Sequence, residues 1–370
     1  MTPLEDRLRS AFRAKAGEIR PEAPPLRLAA RRRRFLFLTY GGSENKGTPA
    51  LRAWHGWIAP IACAVLVVGV IAGSAVVFGG GRSVARSPAR APAVHPLLAS
   101  RASSYLGVFE PGSPPSYQPV EKFGRAAGVE PNLVEYASFL GRPFAASYAR
   151  TLRKHGAVMI VQIDPAGGSV ASVAAGSYDI YLRSYADSVR DFGHPVIIGF
   201  GNEMNADWNS WGYRHTPAST FVAAWRRIVT LFRGQGADNV TWLWTISADQ
   251  AGTGPVASWW PGSSYVTWVG IDGYYMHPSD TFQGVFAETI AQLRAFTNKP
   301  ILLSQAAVTP GARQFANIRN LFEGMAHYGT LGLVWSDMET LNRQDWRLEG
   351  NLAAEAAFRL SAARLTLART

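Results

Sequence analysis

The 370-residue sequence predicts a (β/α)8 TIM barrel over residues 105–370, preceded by one membrane-spanning helix. Three observations predict it. From Tyr105 onward, eight short apolar runs alternate with helical patterns, over a length near the ~250 residues usual for such barrels. The residues just past those runs are polar, acidic or aromatic, as expected where the carboxyl ends of barrel strands form an active face. Residues 57–78 form a stretch of 22 residues without a charge, long enough as a helix to cross a hydrocarbon core about 30 Å thick.

The flanking segments account for the charge. The chain carries a net +11, which invites a nucleic-acid reading. Residues 1–56 hold +7 of it and residues 82–104 hold +4, while residues 105–370 are neutral with 21 charges of each sign. A neutral globular part argues against a nucleic-acid footprint, and basic flanks suit a membrane surface. Residues 1–56, with Pro21, Pro24, Pro25 and the Arg31–Arg34 block, read as a basic, largely disordered tail. Trp54 and Trp57 sit where an interfacial aromatic belt would lie. The run at 57–78 is longer and starts later than a signal-peptide core of about 7–15 residues, so an uncleaved anchor is expected. Arg31–Arg34, Lys46 and Arg52 precede it and three arginines follow closely. The positive-inside rule then places the amino terminus in the cytoplasm and the barrel outside it, at the cell membrane. Residues 79–104 have the Pro/Ala/Gly/Arg-rich composition of a linker. The single cysteine, Cys63, lies in the apolar run, so the barrel has neither disulfides nor a cysteine metal site.

Within the barrel the expected strands are Tyr105–Phe109, Leu133–Tyr136, Val158–Ile163, Val196–Phe200, Val240–Thr245, Val266–Ile271, Ile301–Leu303 and Leu331–Trp335. The clearest helix starts at Thr216-Pro217, read as an N-cap followed by proline in the first turn. Phe221, Trp225, Ile228, Val229 and Phe232 recur at helical spacing before Gly234 and Gly236 close it. An open doubly wound sheet would show a glycine-rich phosphate turn after the first strand, and VFEPGSPPSY is no such turn.

The strand ends carry Glu110, Gln162, Asp164, Asn202, Glu203, Thr245, Asp272, Tyr274, Tyr275, Gln305, Trp335 and Asp337, with Trp259 and Trp260 in the loop after strand five. Convergent polar and aromatic groups on one rim are the makeup of a carbohydrate groove. A carboxyl such as Glu203 can protonate a glycosidic oxygen, and the indoles of Trp208 and Trp211 can stack on sugar faces. No HExxH pair, phosphate loop or GxSxG elbow is present. The histidines lack ligand spacing, so no metal or cofactor is expected.

The stretch GNEMNADWNSWG, with GIDGYY at strand six and VWSD at strand eight, resembles glycoside hydrolase family 26. Its best-known members are β-1,4-mannanases, with some β-glucan lichenases, on a barrel that hydrolyses with retention. Against the family's acid/base motif, Glu203, Met204, Asn205, Trp208, Trp211 and Gly212 match, whereas Asn202, Ala206 and Asn209-Ser210 depart. The resemblance implies Glu203 as general acid/base, Tyr274 beside the nucleophile and Trp335 as the floor of the central sugar subsite. It also exposes one departure: the family has glutamate as nucleophile on strand seven, and ILLSQAAV places Gln305 there.

Three readings follow. A membrane-anchored hydrolase would need another acid, Asp272, Asp337 or Glu339, to substitute, by an inverting route with carboxyls about 6.5–9.5 Å apart. A silent relative would bind β-1,4-linked mannan or β-glucan without cutting it. A structural or protein-binding ectodomain would do neither. A neutral amide is a poor nucleophile, which favours the second. Glu110, Gln162, Asn202, Asn205, Trp208, Trp211, Asp272, Tyr274 and Trp335 are the expected glycan contacts.

Overall fold

The computed structural model describes residues 98–165, 170–339 and 345–369. The expected membrane span, basic tail and most of the linker lie outside them. Among the described residues no helix is long and apolar enough to cross a membrane.

Eight parallel strands close into a barrel in sequence order, with β1 pairing β8. They are β1 Tyr105–Phe109, β2 Leu133–Phe139, β3 Val158–Asp164, β4 Val196–Phe200, β5 Val240–Ser247, β6 Trp268–Tyr275, β7 Ile301–Val308 and β8 Gly332–Ser336. Every expected strand is present, and the differences are in length. β6 and β7 run on through Asp272, Tyr274 and Gln305, which therefore lie within strands rather than after them. An apolar-run reading stops a strand at its first polar residue. The ladder continues because the barrel interior can satisfy such a group.

The crossover helices are α1 Gln118–Ala127, α2 Ala146–Lys154, α3 Val170–Ala174, α4 Asp179–Phe192, α5 Ala218–Gly234, α6 Glu288–Arg294 and α7 Gln314–His327, and α8 Leu352–Ala362 follows the last strand. α5 starts one residue later than expected. Pro217 is its N-cap, in extended conformation, and Thr216 bonds the Ser210 carbonyl instead of capping. Phe221, Trp225, Ile228 and Phe232 form its buried stripe.

No α-helix links β5 to β6 among the described residues. Two 3-10 turns, Val256–Trp259 and Ser263–Tyr265, take its place. Trp259 packs edge-on against Phe221, and Trp260 packs edge-on against Trp244 and tilted on Phe296. The two tryptophans expected on a sugar-binding rim instead clothe the outer wall, supplying the apolar cover that a crossover helix would give.

The barrel interior is not wholly apolar. Glu135, Gln162, Thr245, Asp272 and Ser304 are all buried along the strands. Gly199 on β4 makes this layer possible, because a Cβ there would collide with the Gln162 amide. Gly199→Ala is expected to lower the unfolding free energy by about 1–3 kcal/mol, the usual cost of overpacking a core. Urea unfolding monitored by tryptophan fluorescence measures it.

Candidate active site

At the carboxyl ends of the strands lies a cavity of about 560 Å³, within the usual size range of ligand sites, roughly 300–1,000 Å³. Gln162, Asn202, Glu203, Trp208, Trp211, Tyr274 and Gln305 line it together. Glu203, just after the fourth strand, and Gln305, on the seventh, thus share one cavity.

Glu203 is set by its backbone. β4 ends at Phe200, and the chain then turns through Gly201 (φ 55°) and Glu203 (φ 53°). A positive φ is uncommon outside glycine and marks a position held by its surroundings. Here the Glu203 amide donates to the Thr245 carbonyl (2.9 Å), tying the turn to β5. The Gly201 position leaves no room for a side chain between Phe221 and Trp211. Trp211 donates its indole N–H to the Asn202 carbonyl (2.9 Å) from the far side of the turn. Trp208 donates to Glu203 Oε2 (2.8 Å). Burial raises the Glu203 carboxyl above the usual carboxylate range, while the Trp208 and Asn209 hydrogen bonds pull it partly back. The result suits a group that must hold a proton and release it.

Gln305 is held from two sides. Tyr274 donates its hydroxyl to Gln305 Oε1 (2.7 Å), and Gln305 Nε2 donates to Glu135 Oε1 (2.9 Å). The Tyr274 hydroxyl is also 3.4 Å from Ser336 Oγ. Burial first, then the nearby Asp272 and Glu203 carboxyls, push the Tyr274 phenol well above its ordinary value. It is therefore a lasting hydrogen-bond donor.

Four expected contacts lie elsewhere. Glu110 accepts from the Gly112 amide (3.0 Å) in the turn after β1 and does not line the cavity. Asn205 is fully buried and staples the turn to β5, donating to the Ser247 carbonyl (2.9 Å) and accepting from its amide (2.8 Å). Asp272 sits beneath the floor, accepting from Ser304 Oγ (2.6 Å). Burial and the Glu203 and Glu135 charges raise its carboxyl well above the usual range. Trp335 points out of the barrel, edge-on against Phe358 of α8. Strand side chains alternate faces, so Ser336 is the residue directed at Tyr274. Trp346 packs edge-on to Tyr274 at 6.0 Å, and neither it nor Trp335 lines the cavity.

The proposed substitute acids fare no better. Asp337 is buried beyond the cavity, accepting from the Leu348 amide (2.8 Å), and burial followed by Glu349 pushes it up to about 9. Glu339 lies in a surface ion pair, 3.9 Å from Arg347. The carboxyls that do line the cavity besides Glu203 are Asp164, Asp249 and Asp280, with His277 beside them. Asp249 and Asp280 escaped the sequence reading because they follow strands whose ends fall later than the apolar runs, and His277 was set aside with the other histidines for want of ligand spacing. Glu135 escaped because it lies inside an apolar run, and its one signal was a charge in an otherwise buried strand. Among the described residues no group of three His, Cys, Asp or Glu side chains is placed to hold a metal ion.

Residues 177–351 match the family model described as glycosyl hydrolase family 26. The chain is 27% identical over 267 residues to endoglucanase H of Acetivibrio thermocellus, covering 67% of this chain and 29% of that protein. It is also 27% identical to a beta-1,3-xylanase of an Alcaligenes species, over 38% of this chain and 29% of that protein. The matched regions thus span less than a third of these relatives' length. The structure of Bacillus subtilis mannanase man26 superposes with a TM-score of 0.54 at 16% identity, covering 71% of this chain and 86% of that one, a likeness of fold.

Trp208→Phe keeps the ring and removes the N–H donated to Glu203. Because that bond favours the ionised carboxyl, the variant is expected to raise the Glu203 midpoint further. Carbon-13 NMR titration of glutamate side chains, assigned with Glu203→Gln, reads the shift.

Proposed function

The chain belongs to glycosyl hydrolase family 26, and on that premise we propose that its barrel binds a β-1,4-linked polysaccharide, mannan or β-glucan, with hydrolysis weak or absent. The observation that carries this reading is the pairing of Glu203 and Gln305 in one aromatic-lined cavity. Glu203 has the setting of a general acid/base: a raised carboxyl, a fixed backbone and an indole donor. Gln305 stands at the position of the nucleophile, with the Tyr274 hydroxyl bonded to it. Retaining hydrolysis needs a carboxylate there to attack the anomeric carbon. A neutral amide neither attacks well nor stabilises an oxocarbenium-like transition state by charge. Asp272, Asp337 and Glu339 do not line the cavity, so the inverting route through them has no support.

Binding does not need a nucleophile. Trp208, Trp211 and Tyr274 offer aromatic surface, and Asn202 and Gln162 offer hydrogen bonds. The beta-1,3-xylanase among the relatives makes the choice of sugar a matter for the loops around this cavity. The membrane span at residues 57–78 tethers the barrel outside the cytoplasm, with residues 1–56 inside, a reading supported by the charge distribution of the sequence.

Incubating the purified chain with mannan and mixed-linkage β-glucan tests this reading. Retention of polysaccharide in affinity electrophoresis without release of reducing ends is expected. Turnover in the ordinary range of enzymes, about 1–10³ per second, would refute the silent assignment. Trp208→Ala is expected to weaken oligosaccharide binding roughly tenfold or more, from lost stacking and burial, as read by calorimetry. Gln305→Glu restores a carboxylate at the attacking position and is expected to raise reducing-end release by about tenfold or more over the parent.

A further inference from the structure

The cavity takes one carboxyl from each of four consecutive strands. Asp164 ends β3, Glu203 follows β4, Asp249 follows β5 and Asp280 follows β6, and all four line it. From β7, β1 and β2 it is lined by Gln305, Phe109, Ala137 and Phe139, none of them charged. Among the described residues no Lys or Arg lines the cavity, and His277 is the one lining side chain able to gain a positive charge. One wall of the cavity is thus an acidic arc, and the opposite wall is neutral.

Acids at the same end of the barrel but outside the cavity have cationic partners. Asp207, in the loop after β4, lies 3.4 Å from Arg214, and Asp345, in the loop after β8, lies 2.6 Å from Arg347. Asp249 and Asp280 form no ion pair among the described residues. Each is tethered through one oxygen: Thr253 Oγ1 donates to Asp249 Oδ1 (3.0 Å), and the His277 amide donates to Asp280 Oδ2 (2.8 Å). A carboxylate can accept about four hydrogen bonds, so both keep acceptor capacity on the other oxygen. Asp249 is exposed and Asp280 half-buried, so a ligand can reach them.

We propose that this arc selects the charge of the glycan, with Asp249 and Asp280 as specificity-determining residues that pair with the ammonium groups of a β-1,4-linked amino-sugar chain, such as one built of glucosamine units. The inference rests on the reading of the cavity as a glycan site and names the class of glycan within it. A ligand ammonium near either carboxylate is attracted, and a uronate or sulfate at the same place is repelled. With no lysine or arginine on the lining, nothing there offsets that repulsion. A neutral chain gains only the stacking and hydrogen bonds common to all three. Exposed ion pairs are each worth up to about fivefold in affinity. Two of them give a preference of roughly tenfold for the amino-sugar chain, weakened by salt.

Calorimetry on the purified full chain tests the inference with two β-1,4-linked oligosaccharides of equal length, one of glucosamine and one of mannose units. The buffer is kept acidic enough to protonate the amines. The glucosamine oligomer is expected to bind roughly tenfold tighter at low salt, with the preference shrinking as salt is raised. In the double variant Asp249→Asn, Asp280→Asn the ratio of the two affinities is expected to fall toward one. A β-1,4-linked mannuronate oligomer is expected not to displace the mannose oligomer. Displacement is the readout for it because residues 1–56 and 82–104 are basic and attract anions on their own account. Equal affinities in the parent, a preference indifferent to salt, an unchanged ratio in the double variant, or displacement by mannuronate would each overturn the inference. Binding of the mannose oligomer without any preference would leave the proposed function standing. Binding of neither oligomer would remove the proposed function, and this inference with it.

Discussion

The hydrogen bond from Tyr274 to Gln305, continued by Gln305 to Glu135, is the constraint around which the upper barrel is arranged. It joins β6, β7 and β2 across the barrel axis. A polar chain inside a barrel is costly unless every member is satisfied, and this requirement reaches outward. Gly199 must lack a side chain so that Gln162 can enter the layer, and β6 and β7 must run past their apolar segments to present Asp272, Tyr274 and Gln305. The floor of the cavity is thus a consequence of how the interior satisfies its own polar groups.

Glu203 is positioned by different means. Its turn is fixed by backbone hydrogen bonds to β5, by Asn205 stapling the same strand and by Trp211 bracing Asn202. The donor side of the cavity is therefore set by chain path, and the opposite side by buried side chains. That separation leaves Glu203 and Gln305 free to change independently of one another. The two halves share a cavity but few supports.

Much of this was legible in the sequence. All eight strands were marked by apolar runs, because strands buried on both faces must be apolar nearly throughout. Glu203 and Gln305 were marked by their place after or within those runs and by the surrounding motif. What was not legible depended on phase and depth. Trp335 and Ser336 are neighbours, and only the pleat decides which one faces Tyr274. Asn205 is as polar as Asn202, yet its bonds go to β5 rather than to the cavity. Glu135 lay hidden in an apolar run, since its partners are 27 and 170 residues away and no local pattern announces them.

The crossover from β5 to β6 has a further meaning. A helix satisfies its own backbone wherever it lies, so its neighbours can drift without unravelling it. Two short turns capped by indole rings have no such independence. Trp259 and Trp260 hold that side of the wall through contact with Phe221, Trp244 and Phe296, and Trp225, Arg226 and Arg233 of α5 donate to the carbonyls of Tyr265, Pro261 and Ser264 in the same connection. The outer ring is therefore seamed at this point, and loosening of α5 would be felt directly by the strand beneath it, the same strand to which the Glu203 turn is moored.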